Sequence, residues 1–512
     1  MKRGAAILIP LFSTRSAGDL GRGEIAGLYP MAELALAMGH RMIQLLPVDE
    51  TAPGETSPYS AMSVLAIDPL YIAAAALPGV GPAAIARARE TAGPGDPPDP
   101  IRLRAARLDL LRRSFNHFQA RASDRDRADL DAFVHAERDW LPDYALFRAL
   151  KERLRWAPWE SWPDGLAARD PRAIASAARD LSGEIAYYSY VQYVAWRQWR
   201  AMRQALAARG VTLGGDLAFS PCRESAEVWA NQSMFDLTRT VGAPPDAFSA
   251  VGQRWGLPMP AWEAMRRGGF RLIRTRTRRA RQLFDLLRID HVVGLYRTYG
   301  FGAEPEAPGD FDPPDPPAQL AQGEEILRVI RAEAGAMELL AEDLGVIPPF
   351  VRRSLAALEL PGYKVMRWER EWDETGQPFI PPARYPGLSV AATGTHDTET
   401  IVEWWRAAPA DERAAFVAML GAAAGLDAAA PELDDRAILA ILDSLYQAGS
   451  CLAIVPIQDL FGWDARVNVP GTVDAGNWKW RFPFPLEHAA ENPALAARVR
   501  AIRAIAGRSG RG

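Results

Sequence analysis

Eight short apolar runs constrain the fold of this 512-residue chain more than any other feature of its sequence. They cover residues 5–10, 41–47, 211–218, 286–290, 338–342, 363–368, 388–393 and 451–456. Each run is bounded by glycine, proline or a charged residue, and its length is typical of a strand that is buried on both faces. The sequence therefore predicts a sheet of eight buried strands.

A glycine stands between a predicted helix and the next apolar run at Gly39, Gly210, Gly335 and Gly449. Glycine just past a helix end closes the last turn by adopting the left-handed conformation. Repeated helix–glycine–strand units indicate an α/β protein with a parallel sheet, and eight strands favour a closed (β/α)8 barrel, the TIM barrel, over an open doubly wound sheet. No GxGxxG loop follows the first run, which argues against a dinucleotide-binding fold.

The uneven distances between the runs predict a barrel that is interrupted by insertions. Residues 1–70 would hold the first two strands, residues 71–195 an inserted helical subdomain, and residues 196–512 the remainder of the barrel. Loop insertions are expected around residues 220–265 and 405–435.

Composition and charge exclude several classes of protein. Hydrophobic residues make up 48% and charged residues 24% of the chain, as in ordinary globular proteins. The formal net charge is only −4, so the chain lacks the basic excess that a nucleic-acid-binding protein needs. We interpret the arginine-rich stretch 271–281 as a solvated helix face. The two cysteines, Cys222 and Cys451, are far apart, so neither a disulfide framework nor a CxxC metal site is expected. Because a signal peptide and a long apolar segment are missing, we expect a cytoplasmic protein.

Acidic residues follow five of the eight predicted strands. They are Asp216, Asp290, Glu342, Asp397 and Asp459. Enzymes built on this barrel carry their chemistry at the C-terminal ends of the strands, where a buried carboxylate is costly unless it has a partner or a task. An acidic residue after a strand can also cap the next helix. Because histidines adjoin two of the three, we interpret Asp290, Glu342 and Asp397 as catalytic.

Several carboxylates, a guanidinium and two imidazoles without metal-ligand spacing indicate the cleavage of glycosidic bonds. Motifs of the HExxH, GxSxG and P-loop kinds are missing. A retaining glycosidase needs a carboxylate nucleophile and a second carboxyl group, about 5–5.5 Å away, that acts first as acid and then as base. The acid must keep its proton near neutral pH, so its surroundings must raise its pKa. Arg288 lies two residues before Asp290 on the same side of the strand and would keep that carboxylate ionised.

Longer stretches of the sequence resemble one known family. RIDHVVGL (288–295), AEDLGVIPP (341–349) and TGTHDTET (393–400) are similar to the nucleophile, acid/base and third-carboxylate motifs of the amylomaltases, which are 4-alpha-glucanotransferases. Further matches are SPYSAMSVLAIDP (57–69), GGDLAF (214–219), ESAEVWA (224–230), PPDAFSAVGQRWGLP (244–258), RVNVPGT (466–472) and NWKWR (477–481). The matches run in the order of the family from about residue 5 to about residue 485.

The resemblance implies a role for each matching position. Asp290 would be the nucleophile that forms a covalent glucosyl-enzyme intermediate, Glu342 the general acid/base, and Asp397 the stabiliser of the transition state. The residues implied to bind substrate are Tyr59, Asp216, Trp255, Arg288, His291, His396 and Asn468. The implied reaction moves a 1,4-alpha-glucan segment to the 4-hydroxyl of an acceptor glucan or of glucose, without a metal or another cofactor. The implied partners are alpha-1,4-glucans such as maltooligosaccharides, with no nucleic acid, membrane or obligate protein partner.

The sequence also departs from the family outside the three acids. Ile43 replaces tryptophan, Asp68 replaces asparagine, Val292 and Val293 replace Phe-Arg, Leu257 replaces asparagine, and Met259 and Pro260 replace Leu-Tyr. Two alternatives therefore stay open, an alpha-glucan hydrolase on the same fold and a non-catalytic glucan-binding protein. The complete set of three carboxylates argues against the second alternative.

Overall fold

The computed structural model describes residues 1–245, 252–304, 307–472 and 476–512, and its centre is a closed barrel of parallel strands. The strands are β1 Gly4–Leu8, β2 Met42–Gln44, β3 Thr212–Leu217, β4 Leu286–Ile289, β5 Glu338–Ala341, β6 Gly362–Val365, β7 Ser389–Ala392 and β8 Leu452–Pro456. They follow one another around the barrel in chain order, and β8 pairs with β1. The predicted (β/α)8 barrel is confirmed. Residues 246–251 of the family-like segment 244–258 lie outside the described residues.

Both faces of the barrel strands are buried because their side chains alternate between two cores. One core contains Leu8, Leu286 and Ile454 and fills the inside of the barrel. The other core contains the neighbouring residues Ile7 and Leu287 and lies between the barrel and the helices. Successive side chains of a strand point to opposite faces, so a strand buried on both faces has a continuous apolar sequence.

Three of the four glycines at predicted helix ends have a positive φ, but the ψ of −116° at Gly335 lies outside the left-handed region that was predicted. Gly39, Gly210 and Gly335 have positive φ angles of 81°, 70° and 60°. The prediction was wrong for Gly449, whose φ is not positive. A side chain at Gly449 would collide with the main-chain carbonyl oxygen of Tyr385, so this close approach, rather than a left-handed turn, requires glycine there.

Helices surround the barrel and fill the interval between β2 and β3. That interval contains Pro82–Ala92, Pro100–Arg121, Asp124–Ala136, Leu141–Arg153, Asp164–Ala167, Pro171–Asp180 and Ser182–Ala208. Further helices are Leu28–Ala37, Ala226–Ala230, Trp262–Arg267, Arg271–Leu283, Val293–Tyr296, Pro316–Ala334, Pro349–Ala357, Ile401–Ala407, Ala410–Leu420, Asp435–Tyr446, Ile457–Phe461 and Pro493–Arg508. Among the described residues, no helix combines the length and apolar character needed to cross a lipid bilayer. Helix Ser182–Ala208 passes residue 195 without a break, and the division of the chain into domains stays a prediction.

The connections after β3 and β4 form an antiparallel sheet that the sequence analysis did not predict. Its strands are, in spatial order, Asp310–Asp312, Thr298–Phe301, Phe235–Ala243 and Gln253–Pro260. Because these connections leave the C-terminal ends of their barrel strands, the sheet stands on the face where barrel enzymes carry their chemistry. A second, two-stranded sheet pairs Asp49–Thr51 with Ala61–Ile67.

The interpretation of the arginine-rich stretch as a solvated face was wrong for two residues of helix Arg271–Leu283. Arg276 and Arg279 are only 4% and 3% exposed. Arg276 donates to two main-chain carbonyls directly after β3, one of which is that of Phe219, and Arg279 donates to a carbonyl of strand Ala61–Ile67. These buried arginines satisfy carbonyl groups of irregular backbone that would otherwise lack a donor.

Candidate active site

Four of the predicted site residues lie side by side at the C-terminal ends of β3, β4 and β5. Asp290 is the first residue after β4, and Glu342 is the first residue after β5. The last residues of these two strands pair with each other, so the two acids are neighbours across the barrel edge. Arg288 of β4 stands opposite Asp216 of β3 in the register of the barrel.

Arg288 joins two of these carboxyl groups. Its Nη1 atom lies 2.8 and 2.7 Å from the Oδ1 and Oδ2 atoms of Asp216 and 2.7 Å from Oδ1 of Asp290. The hydroxyl of Tyr59 donates to Oδ2 of Asp216 at 2.7 Å. Burial raises the pKa of Asp216, and the charge of Arg288 opposes this rise. Because the Arg288 side chain is only 8% exposed, its charge acts on both acids with little screening by solvent.

Glu342 is held by the main chain on both of its oxygens. The N–H of His291 donates to Oε2 at 2.8 Å, and the N–H of Leu344 donates to Oε1 at 2.9 Å. Burial raises the pKa of Glu342 to about 7; Arg288 lowers it, whereas the negative charge of Asp290 raises it further. Two neighbouring carboxyl groups with different surroundings are the usual sign of an acid paired with an anionic partner.

His291 closes one side of this acidic pair. Its imidazole meets the rings of Phe219 and Trp255 edge to face, with centroids 5.4 and 4.8 Å apart. Burial lowers the pKa of His291 to about 4, so the ring is neutral at physiological pH. Its φ of 46° is rare for a residue with a side chain, and such strained backbone is concentrated at functional sites.

Asp397 lies across the barrel mouth, in the loop between β7 and helix Ile401–Ala407. The side-chain amide of Asn468 donates to its Oδ1 at 2.6 Å, and Nε2 of His396 lies 3.1 Å from its Oδ2. Burial opposes the ionisation of Asp397, but the contacts with His396 and Asn468 outweigh it and lower the pKa to about 2. This carboxylate therefore stays ionised over the whole physiological pH range.

Three aromatic rings connect the two sides of the mouth. The ring of Tyr59 stacks on that of His396, with centroids 5.3 Å apart and an interplanar angle of 14°. The ring of Trp478 lies 5.9 Å from each of them. Tyr59 thus contacts the Asp397 side of the mouth with its ring and Asp216 on the other side with its hydroxyl. All ten predicted site residues face one mouth of the barrel.

The sequence of the chain matches the family model of the 4-alpha-glucanotransferases over residues 9–487, a range that includes every residue of this site. The chain belongs to the 4-alpha-glucanotransferase family. It is 31% identical over 507 residues to the 4-alpha-glucanotransferase of Chlamydia caviae, and the match covers 96% of this chain and 93% of that protein. It is 35% identical over 472 residues to the enzyme of Thermus thermophilus, over 90% of this chain and 91% of that protein. The solved amylomaltase from Streptococcus agalactiae, in complex with acarbose, superposes with a TM-score of 0.84 at 26% identity and 100% coverage of both chains.

In this glucanotransferase, two acids that follow barrel strands serve the framework. Asp459 accepts hydrogen bonds from the hydroxyl of Thr393 and from the N–H of Ile401, and so ties the end of β7 to the start of the next helix. Asp343 accepts from the N–H of Tyr363 at 2.7 Å and ties β5 to β6. Asp459 thus binds the start of a helix, although not of the helix that follows its own strand, and Asp343 links two strands, whereas Asp216 is part of the candidate site.

Phe219 and Arg466 also contact site residues of the glucanotransferase, and neither was predicted. Phe219 packs on His291, and the signal for it was its place at the end of the GGDLAF match. Arg466 donates to the main-chain carbonyl of Asp397 at 2.8 Å, and its place in the RVNVPGT match was the corresponding signal. Neither residue type is unusual near a strand end, so local sequence gave no reason to select them.

Several departures from the family, among them Ile43, Val292 and Asp68, lie in the buried framework of the enzyme. Ile43 and Val292 are fully buried in the core between barrel and helices, so neither forms part of a substrate-contacting surface. Asp68 is also buried, and its carboxylate accepts from Nη2 of Arg104 at 3.0 Å and from the hydroxyl of Thr51 at 3.0 Å. The guanidinium balances the charge that aspartate brings to a position where the family usually has the neutral amide.

Proposed function

We propose that this glucanotransferase moves a segment of a 1,4-alpha-glucan to the 4-hydroxyl of an acceptor glucan or of glucose by double displacement through Asp290. The observation that carries this proposal is the pair of neighbouring carboxyl groups after β4 and β5. Asp290 is in contact with a buried guanidinium, whereas Glu342 has its pKa raised to about 7. Retaining glycosidases need this division between an anionic nucleophile and a protonated acid.

In the first step, an oxygen of Asp290 would attack the anomeric carbon of the donor while Glu342 protonates the departing glycosidic oxygen. The leaving glucan takes the proton, and a covalent β-glucosyl ester remains on Asp290. Asp397, held ionised by His396 and Asn468, would accept hydrogen bonds from hydroxyls of the reacting ring as positive charge develops on it.

In the second step, Glu342 would act as base. It takes the proton of the acceptor hydroxyl, whose oxygen attacks the anomeric carbon and releases the Asp290 carboxylate. Two inversions leave the alpha configuration unchanged. Arg288, Asp216 and Tyr59 would surround the reacting sugar, with Trp255 and His291 on the neighbouring side of the mouth. We expect no metal or other cofactor in this reaction. We also infer a cytoplasmic location, where maltooligosaccharides would be its partners.

Incubation with maltotriose tests transfer against hydrolysis. We expect glucose together with a ladder of maltooligosaccharides longer than the donor, at a constant total number of reducing ends, because the intermediate is captured by another sugar. The products are separated by chromatography and the reducing ends are titrated in the same samples. Shorter products alone with rising reducing ends would make the protein a hydrolase, and no change in any alpha-glucan would favour the non-catalytic alternative.

The rate of the first step should fall as pH rises through about 7. Glu342 must donate a proton in that step, and burial raises its pKa to about 7, so the competent acid form is lost above this pH. The measurement is kcat/KM for maltotriose from pH 5 to 9. A glucosyl fluoride donor is the control, because fluoride leaves without protonation and its glycosylation step should lack this basic limb. An identical limb with both donors would contradict the assignment of Glu342 as the acid.

A further inference from the structure

Two arginines from other parts of the barrel bind the main chain of the loop that carries Asp397. Nη2 of Arg466 donates to the carbonyl oxygen of Asp397 at 2.8 Å, and Nη2 of Arg367 donates to that of Glu399 at 2.5 Å. Arg367 follows β6 and Arg466 lies beyond β8, so the loop after β7 is fastened from both sides. The Arg367 side chain is 1% exposed and that of Arg466 is 22% exposed.

Arg466 binds both residues of the hydrogen-bonded pair at the site. While its Nη2 holds the carbonyl of Asp397, its Nε donates to the carbonyl oxygen of Asn468 at 2.7 Å. The side chains of the same two residues are joined by the 2.6 Å bond from Nδ2 of Asn468 to Oδ1 of Asp397. One guanidinium therefore fixes the distance between the two main-chain segments from which this bond is made.

Glu399, whose side chain is 46% exposed, lies beside the guanidinium groups of both Arg466 and Arg367. Its Oε1 lies 3.8 Å from Nη1 of Arg466, and its Oε2 lies 3.7 Å from Nη1 of Arg367. At these distances the interaction is an ion pair rather than a hydrogen bond. The carboxylate lies between the two arginines and attracts both.

We propose that Arg466 is a positioning residue of the transfer reaction, which sets the bond between Asn468 and Asp397 by holding the main chain of both. The inference rests on the proposed role of Asp397 in the transition state. A planar guanidinium donates in fixed directions, and the single ammonium of lysine cannot reproduce them. Small displacements of a group that acts in the transition state reduce the rate steeply, so kcat should respond more than KM.

The first test is Arg466→Lys, which keeps the positive charge but removes the planar guanidinium and its fixed donor directions. We expect kcat for maltotriose disproportionation to fall about 10- to 100-fold with KM nearly unchanged. Arg203→Lys is the matched control, because Arg203 is 24% exposed and binds the carbonyl of Gln282 at 2.7 Å and the carboxylate of Asp285. Arg203 lies on helix Ser182–Ala208, and its partners directly precede β4, at the end of the barrel opposite the site. Its replacement should leave kcat unchanged. Thermal melting of both variants shows whether they are equally folded.

A second variant keeps the test informative if Arg466→Lys fails to fold. Glu399→Gln retains every hydrogen bond of Arg466 but removes the charge that attracts it. We expect a smaller fall in kcat, again without a change in KM. An unchanged kcat in both Arg466→Lys and Glu399→Gln, with Asp397→Asn inactive, would overturn the inference and leave the proposed function standing.

A double-variant cycle separates the inference from the function on which it rests. If Arg466 acts through Asp397, the fall caused by Arg466→Lys should largely disappear in an Asp397→Asn background. A glucosyl fluoride donor keeps that background measurable. A full, additive effect would mean that Arg466 acts elsewhere and would overturn the inference. A fully active Asp397→Asn variant would instead refute the role of Asp397, and the positioning role would fall with it.

Discussion

A Glu342→Gln variant should keep its fold and lose about 10²–10⁴-fold of its transferase rate. Glutamine preserves the shape of the side chain but can neither protonate the departing oxygen nor take the proton of the acceptor. The initial rate of maltotriose disproportionation at pH 7 gives the loss, and circular dichroism of the same preparation reports the fold. An unfolded variant would indicate that Glu342 has a structural role rather than the proposed chemical one.

The stability of the same variant relative to that of the unchanged enzyme should increase as pH rises. Folding raises the pKa of Glu342 from 4.5 to about 7, so the folded state binds this proton more tightly than the unfolded state does. The stabilising effect of the protonated group is complete below pH of about 4.5 and is lost as pH rises through about 7. The melting temperature of Glu342→Gln minus that of the unchanged enzyme should therefore increase between pH 5 and pH 8. A constant difference would mean that Glu342 has an ordinary pKa.

An Asp290→Asn variant should lose about 10⁴-fold or more of the transferase rate, because no covalent intermediate can form without the nucleophile. Arg288 keeps its contacts of 2.8 and 2.7 Å with Asp216, so the local framework should survive the substitution. The rate is measured with maltotriose, and thermal melting is the check on folding. A variant that retains a substantial rate would exclude Asp290 as the nucleophile.

Azide distinguishes the roles of the two acids by stereochemistry. With Asp290→Ala and a glucosyl fluoride donor, azide would attack the anomeric carbon directly and give the β-glucosyl azide. With Glu342→Ala, azide would attack the ester on Asp290 and give the alpha-glucosyl azide. Nuclear magnetic resonance of the products separates the two anomers. If Asp290→Ala gave the alpha-azide and Glu342→Ala the β-azide, the roles assigned to Asp290 and Glu342 would have to be reversed.

The barrel could be predicted because its strands are buried on both faces, and such strands have continuous apolar sequences. All eight predicted runs overlap a barrel strand. β1 and β6 begin one residue before their runs, and other strands are shorter than predicted; β2, for example, covers only Met42–Gln44 of residues 41–47. The positions of the three acids after β4, β5 and β7 followed from the same pattern. A carboxylate at the buried end of a strand is costly unless it has a partner or a function, so these acids stood out.

The antiparallel sheet on the C-terminal face could not be predicted in the same way. Its strands Phe235–Ala243 and Gln253–Pro260 are only partly buried and show two register shifts against each other, so neither carries a clear apolar or alternating pattern. The burial of Arg276 and Arg279 could not be predicted from the neighbouring sequence either, because arginine is usually exposed. Both side chains are buried here because they donate hydrogen bonds to main-chain carbonyl groups of other segments.

The barrel, and the positions of the three proposed catalytic acids after its strands, follow from the sequence alone. Apolar runs, helix-ending glycines and the motifs around Asp290, Glu342 and Asp397 are all local, and local patterns can be read without coordinates. How the surroundings of these acids differ is visible only once the chain is folded. Burial inside the closed barrel raises the pKa of Glu342. Burial would also raise the pKa of Asp397, but the adjacent His396 and Asn468, which comes from a distant loop, lower it. Such contacts depend on which distant segments the closed barrel brings together, and that is a property of the fold rather than of any stretch of sequence.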